Sequence, residues 1–184
     1  DIELVARCVE LVRSRLNARD ATRPRARSAD AECLYRHGLE QYCQCGEHAI
    51  LLNEILQTLG CQSRVLWLEG HVAAEYCDRD IDRWVLVDAH MNQWFVDSNH
   101  RPMSVAEVIR AAERGLRYTS TPICAESEQQ HSLGSRDLDR MWYRNMLLNG
   151  ECYALSGKTL RDPSRWTHLL RFRRFPQMLL LSTN

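Results

Sequence analysis

The sequence has no net charge, no long apolar run and almost no lysine. Twenty-four basic residues balance 24 acidic ones, which excludes nucleic-acid binding through an overall positive field but permits a local basic patch. No apolar run approaches the roughly 20 residues that span a bilayer, and no signal peptide is recognisable. Every basic residue except Lys158 is arginine, a bias typical of a GC-rich bacterial genome.

Length and apolar content predict a single globular domain. The 184 residues are 45% hydrophobic and 26% charged, which is enough for one core of ordinary size. No repeat, low-complexity tract or linker divides the chain, so we expect one domain over 1–184. Its parts would be N-terminal helices over 1–41, a central motif over 43–99 and a C-terminal helical region over 104–184.

Hydrophobic spacing and capping residues predict an α+β fold. Helices are expected over 2–18, 30–41, 48–60 and 105–114. In the first, Ile2, Val5, Val9, Val12 and Leu16 lie on the buried face. Asp30 opens the second, Gly60 ends the third, and the fourth is opened by a Ser104–Glu107 capping box and closed by Gly115. Strands are expected over 64–68, 71–76, 83–87 and 93–96. Residues 19–29 and 119–135 are predicted loops, and 137–148 a further helix.

The cysteines do not suggest a disulfide framework, because a chain of this length can build a core without one. Eight are present, at positions 8, 33, 43, 45, 61, 77, 124 and 152, and most are expected to be buried thiols. Zinc ligation by Cys43, Cys45 and His48 is an alternative, but the second pair of ligands typical of structural zinc sites is missing. We expect Cys43 to be a free thiol.

Cys45 stands at the predicted start of the long third helix, one turn ahead of its apolar stretch 48–60. Unpaired backbone N–H groups and the helix dipole at that end favour a thiolate and can bind an oxyanion beside it. If Cys77 and Asp82 are the last paired residues of the next hairpin, its loop is 78–81 and His71 lies directly opposite Asp88. A thiol, a base and a carboxylate that orients the base are the arrangement used for acyl transfer.

The same residues resemble the core of the transglutaminase-like superfamily. The features of the family that recur here are a cysteine at a helix start, an alanine four residues later and a glycine at the helix end. They are followed by an arginine-bearing strand, a histidine opening the next strand and a tryptophan-containing strand ending in Asp-Ala. They correspond here to 45–49 (CGEHA), 59–60 (LG), 63–65 (SRV), 70–71 (GH) and 84–89 (WVLVDA). Many members also carry an aromatic residue shortly after the histidine, where this chain has Val72-Ala73-Ala74.

The resemblance implies a papain-like α+β fold, with the nucleophile at the N-terminus of a central helix packed on an antiparallel sheet and extra helices at both ends. It also implies a catalytic triad of Cys45, His71 and Asp88 that cleaves an amide through an acyl-thioester, without cofactor or metal. The expected substrate is an amide in a peptide, a protein or a modified glycan, and no nucleic-acid partner is expected. Free cysteines favour the cytoplasm, whereas a trimmed N-terminus would leave a periplasmic or exported location open.

Other polar residues of the motif have simpler expected roles. Arg64 should brace the fold or pair with a carboxylate, His48 should be a partly exposed helix residue, and Glu75 should face solvent. The strand tryptophans at 67, 84 and 94 are expected in the core.

Three alternative functions stay open at this point. One is a catalytically silent member of the same fold that binds a peptide, a glycan or a protein. The second is the zinc protein described above. The third is a module that its arginine-rich loop, 19–29, or its C-terminal tail recruits to a membrane or an anionic polymer.

Overall fold

A computed structural model describes residues 2–26, 30–68, 71–124 and 153–155. These residues form an α+β fold, as the sequence predicts, with helices packed on an antiparallel sheet. The helices are α1 (Ile2–Arg15), α2 (Ala31–His37), α3 (Cys45–Thr58) and α4 (Val105–Glu113), with a 3-10 turn at Gly38–Glu40. The strands are β1 (Ser63–Leu68), β2 (His71–Asp78), β3 (Arg83–Asp88), β4 (Gln93–Val96), β5 (Thr119–Pro122) and β6 (Tyr153–Leu155). Nowhere in this part of the chain is a helix both long and apolar enough to cross a bilayer.

The sheet has the strand order β5-β4-β3-β2-β1-β6, and every neighbouring pair is antiparallel. The first four strands confirm the predicted ones to within two residues at each end. The prediction of a loop over 119–135 is wrong at its start, because 119–122 pair along β4 as an edge strand. The prediction of a helical region over 104–184 is likewise wrong at β5 and β6. The predicted helix over 137–148 and the tail lie outside the described residues.

Two hydrophobic cores lie on opposite faces of the sheet. One is formed by α1, α3 and the strand residues Val65, Ala74 and Val87. The other packs α4 against strand residues that alternate with these, among them Leu66, Leu86 and Phe95. The alternation follows from the two-residue period of strands, which buries both faces of this sheet.

Helix α1 shows how closely the apolar spacing predicts burial. Val5, Val9 and Val12 are fully buried, as expected from their helical spacing, and Leu16 is buried just beyond the helix end. Ile2 was expected on the same face but is 37% exposed, because it lies in the first turn, beyond the edge of the core. The helix ends at Arg15, three residues earlier than predicted.

The capping residues predicted for α2, α3 and α4 are confirmed by their contacts or φ angles, although α2 ends at His37, four residues earlier than predicted. Asp30 Oδ1 accepts a hydrogen bond from the Glu32 N–H, and Ser104 and Glu107 form the reciprocal bonds of a capping box. Gly60 and Gly115 follow α3 and α4 with positive φ angles of 78° and 65°, a conformation that favours glycine.

Candidate active site

Cys45 is the first residue of α3, and its side chain is partly exposed. Glu47 Oε2 accepts a hydrogen bond of 2.8 Å from the Gln44 N–H, which stabilises the turn that starts the helix. The N–H of Cys45 belongs to the first helical turn and so has no acceptor within the helix. A Cβ placed on Gly46 would meet nothing within 4 Å. The start of α3 therefore borders open space next to the thiol.

His71 and Asp88 form a buried hydrogen-bonded pair at the ends of two neighbouring strands. His71 opens β2 and Asp88 closes β3, and His71 Nε2 lies 2.7 Å from Asp88 Oδ2 with both side chains 1% exposed. Because a carboxylate oxygen accepts, Nε2 is the donating nitrogen. The other oxygen, Oδ1, accepts a bond of 2.9 Å from the Met91 N–H. Both oxygens of Asp88 are thereby oriented.

The register that joins these strands differs from the predicted one by two residues. The last pair of the hairpin is Asp78 with Arg83, and Ala74 pairs with Val87. Extending this register by one residue places Asp88 opposite Ala73, so His71 is its diagonal neighbour. The prediction that His71 lies directly opposite Asp88 is therefore wrong. A shift of two residues keeps both side chains on one face, and the imidazole is long enough to span the diagonal.

The structure brings the predicted site residues Cys45, His71 and Asp88 together. Burial lowers the pKa of His71, but the Asp88 carboxylate and a hydrogen bond with the Cys45 side chain raise it by more, so the net shift is upward. Burial raises the pKa of Asp88, and the bonds from His71 and the Met91 N–H lower it to a net value below the ordinary range. Since Nε2 is bonded to Asp88, Nδ1 is the ring nitrogen left to interact with the thiol. This continuous chain of contacts suits proton transfer from sulfur to imidazole.

Two further histidines line the same region. The His48 ring meets the His90 ring edge-on at 4.9 Å between centroids, and the His90 ring lies 6.4 Å from that of His71. His48 Nδ1 donates a bond of 2.7 Å to the Gln44 carbonyl. Burial, reinforced by His90, lowers the pKa of His48 to about 3. The expectation that His48 is partly exposed is wrong, because the turn that carries His90 covers it.

Helix α1 contacts the turn that follows Asp88. Arg13 Nη1 donates to the carbonyls of Ala89 and His90, at 3.0 and 2.8 Å. No sequence signal singles out Arg13, because its partners lie 76 and 77 residues away. His90 was missed as well, although its place two residues after Asp88 in a short turn was a possible signal.

Two buried nitrogen atoms near the His71–Asp88 pair have no hydrogen-bond partner in the described parts of the chain. One is His90 Nδ1 and the other is Gln93 Nε2. Gln93 opens β4 directly across from Asp88. Polar atoms left without a partner are uncommon in protein interiors and are found at sites that bind ligands or water.

Arg64 and Glu75 form a second buried cluster, outside the candidate active site. Glu75 Oε2 accepts bonds of 2.9 and 2.6 Å from Arg64 Nε and Nη2, and Oε1 accepts one of 2.6 Å from the Val105 N–H. The Arg64 guanidinium also stacks on Trp84, 3.8 Å from the ring centroid. The predicted pairing of Arg64 with a carboxylate is confirmed. The expectation that Glu75 faces solvent is wrong, because the N-terminus of α4 packs over it.

The remaining cysteines serve the core or lie near the surface. Those described (8, 33, 43, 45, 61, 77 and 124) all carry free thiols, and Cys152 lies outside the described residues. Cys43 is fully buried, its Sγ donates to the Gly38 carbonyl, and burial raises its pKa to about 11. Among the residues that the structure describes, no group of three or more His, Cys, Asp or Glu side chains could hold a metal ion.

No family model matches the chain, and no curated protein or solved structure matches it either. Membership of the transglutaminase-like superfamily therefore stays a prediction from the residues of the motif. The contacts among Cys45, His71 and Asp88 are the observation on which a function can be based.

Proposed function

We propose that the protein is a transglutaminase-like cysteine enzyme with a papain-like fold, acting on an amide bond through an acyl-thioester. The observation that carries the proposal is that His71, whose Nε2 lies 2.7 Å from Asp88 Oδ2, also interacts with the Cys45 side chain. A helix that begins at the nucleophile and packs on an antiparallel sheet supports it. The order of the three residues along the chain matches the resemblance described above.

In the proposed reaction, the Cys45 thiol first gives its proton to His71 Nδ1, which the raised pKa of His71 favours, and Sγ then attacks the amide carbonyl as a thiolate. The negative charge on the carbonyl oxygen is stabilised by the Cys45 N–H at the helix start. The C–N bond then breaks, and His71 returns the proton to the departing nitrogen. Water or an amine attacks the thioester, gives its proton to His71, and releases the acyl group as the proton returns to Sγ.

Asp88 keeps His71 in the orientation and tautomer that this cycle needs. Its Oδ2 holds the Nε2–H, so the lone pair of neutral His71 lies on Nδ1, toward the thiol. When His71 carries the proton, the Asp88 carboxylate stabilises the imidazolium, and because both side chains are buried their charges interact strongly. The Met91 N–H, bonded to Oδ1, prevents the carboxylate from rotating.

The first test is the pH dependence of alkylation by iodoacetamide, with each modified cysteine located by mass spectrometry. We expect Cys45 to react selectively below about pH 8, where an ordinary thiol is largely protonated. His71→Ala and Asp88→Ala should both slow this reaction, and His37→Ala, a change at an exposed histidine of α2, should not. Cys33, also partly exposed, is the internal control. If Cys45 reacts no faster than Cys33, the silent binding protein of the same fold becomes the better proposal.

The second test detects the acyl intermediate. The protein is incubated with glutamine-containing peptides or N-acetylated sugars, quenched in acid and weighed by mass spectrometry. A covalent adduct on Cys45 that hydroxylamine removes as a hydroxamate would identify a thioester. The Cys45→Ser protein should give no adduct that hydroxylamine removes this way.

A further inference from the structure

The carbonyl of Gln44 and the N–H of Cys45 belong to one peptide unit at the start of α3. A trans peptide unit is planar, so its carbonyl and its N–H point in opposite directions. Gln44 is the N-cap residue, and its carbonyl points into the helix, where it accepts from the His48 N–H at 3.3 Å. The Cys45 N–H therefore points out of the helix start, the end at which helices bind anions. A contact that fixes the carbonyl also fixes the direction of this N–H.

The Gln44 carbonyl is held by a second and shorter hydrogen bond. His48 Nδ1 donates to it at 2.7 Å, whereas the backbone bond from the same residue spans 3.3 Å. An ordinary helix supplies the backbone bond alone. His48 thus holds one end of the peptide unit whose other end is the N–H proposed above to stabilise the oxyanion. Hydrogen bonding to the carbonyl also polarises the amide, which makes its N–H a stronger donor.

The His48 ring is itself fixed and uncharged. It is buried, and the His90 ring packs edge-on against it at 4.9 Å between centroids. Because a carbonyl oxygen only accepts, the proton of the neutral ring lies on Nδ1. Burial, with a further contribution from His90, keeps the pKa of His48 at about 3. The ring therefore stays neutral, and its bond to Gln44 stays in place, at the pH of the alkylation experiments above.

We propose that His48 is a positioning residue for the oxyanion: its Nδ1–H holds the Gln44–Cys45 peptide unit in the orientation that aims the Cys45 N–H at the reacting carbonyl. This proposal rests on the proposed function and adds to it a residue that acts through the backbone. Without the ring, the peptide unit keeps only the longer backbone bond. A misplacement of about 1 Å can slow a reaction about 100-fold. Substitution of His48 should therefore slow reactions that place negative charge on a carbonyl oxygen more than those that do not.

The test compares two reactions of the same sulfur. Iodoacetamide is attacked at its CH2 carbon, where the S–C bond forms as iodide leaves, and no tetrahedral oxyanion arises. p-Nitrophenyl acetate is attacked at its carbonyl carbon, where a tetrahedral oxyanion forms and then expels p-nitrophenolate, which leaves S-acetyl-Cys45. Mass spectrometry measures both rates at Cys45, with the partly exposed Cys33 as internal control. The quantity compared is the ratio of the acetylation rate to the alkylation rate.

Three substitutions separate the Nδ1 donor from the bulk of the ring. His48→Leu has no donor, and its ratio should fall about 10- to 100-fold. His48→Asn places an amide nitrogen near the position of Nδ1 and should restore most of the ratio. His48→Gln places its amide near the position of Nε2 and should stay low. His37→Leu, at an exposed histidine of α2, should match the wild type. Circular dichroism identifies any variant that fails to fold, and the Leu and Gln variants, both without a donor near Nδ1, replace each other in the comparison.

The outcomes separate this proposal from the proposed function. An unchanged ratio in His48→Leu, an equal fall of both rates, or a ratio in His48→Asn as low as in His48→Leu overturns the role of His48. A wild-type Cys45 that is alkylated quickly but acetylated no faster than Cys33 overturns it too, because no oxyanion is then stabilised, although the thiolate is activated. A wild-type Cys45 that reacts with neither probe faster than Cys33 does contradicts the proposed function itself.

Discussion

At the scale of single residues, Glu75 shows how an acidic side chain can be placed in the core. Its two oxygens accept from Arg64 twice and from the Val105 N–H once, so little of its hydrogen-bonding capacity is lost on burial. Burial raises the pKa of Glu75, although Arg64 and the Val105 N–H oppose the shift. One carboxyl group thereby joins β1, β2 and the start of α4.

The neutral variant Glu75→Gln should strongly destabilise the protein. It leaves the Arg64 guanidinium buried without its counter-charge, and breaking a buried pair from one side costs about 3–5 kcal/mol. Urea denaturation would measure this loss as a lower midpoint. Glu3→Gln, which removes the partner of exposed Arg7 on α1, should leave the midpoint unchanged. Equal midpoints for wild type and Glu75→Gln would show that the pair does not stabilise the fold.

At the scale of elements, α1 supports the turn that positions Asp88. Residues 89–92 join β3 to β4, and the first two carbonyls of this turn, those of Ala89 and His90, accept hydrogen bonds from Arg13. At the far end of the turn, Asn92 exchanges bonds with the backbone of Cys124. The N-terminal helix, although outside the central motif, is in this way part of the support of the candidate site.

Replacing Arg13 by methionine should weaken both stability and the reactivity of Cys45. The two carbonyls lose a charged donor, which we expect to cost about 1.5–3 kcal/mol, and the loosened turn should orient Asp88 less well. The alkylation rate of Cys45 and the urea midpoint are both measured. Arg7→Met, at an exposed position of the same helix, is the matched control. If Cys45 of Arg13→Met is alkylated as fast as that of the wild type, the turn keeps its shape without the hydrogen bonds from Arg13.

At the scale of the whole molecule, the buried histidines make stability depend on pH in opposite directions. The raised pKa of His71 gives stabilisation that is complete below about pH 6.5, the ordinary value, and is lost as pH rises through the folded value. The lowered pKa of His48 has the reverse effect: the unfolded chain binds the proton more tightly, so stability falls as pH drops below about 6.5. The lowered pKa of Asp88 removes further stability below about pH 4.

We therefore expect the free energy of unfolding to be greatest near pH 6.5. Between about pH 6.5 and 4.5, His48 should lower it by up to about 1.4 kcal/mol per pH unit. His48→Gln should flatten this acidic side relative to the wild type, since contributions from unchanged groups cancel in the comparison. Urea denaturation across the pH range measures both proteins. Parallel curves for the two proteins would contradict the assignment of a buried neutral His48.

The central motif was predictable from local patterns. Alternating and helical spacing of apolar residues, together with Asp30, Ser104, Gly60 and Gly115 at helix ends, predict elements whose bonds lie within a few residues of one another. The hairpin register was not predictable, because Asp78–Arg83 and Cys77–Asp82 both close a four-residue turn. Only packing of the neighbouring strands selects one of them.

By itself, the sequence determined the α+β class, the start of α3 at Cys45 and the positions of His71 and Asp88 at strand ends, because these depend on near neighbours and on the periods of helix and strand. Tertiary structure alone decided which groups surround them. Arg13 reaches the turn after Asp88 across more than seventy residues, and the burial of His48 and Glu75 depends on a turn and a helix that come later in the chain. Such contacts arise from the packing of complete elements, and the polarity of one residue does not show which distant element will cover it.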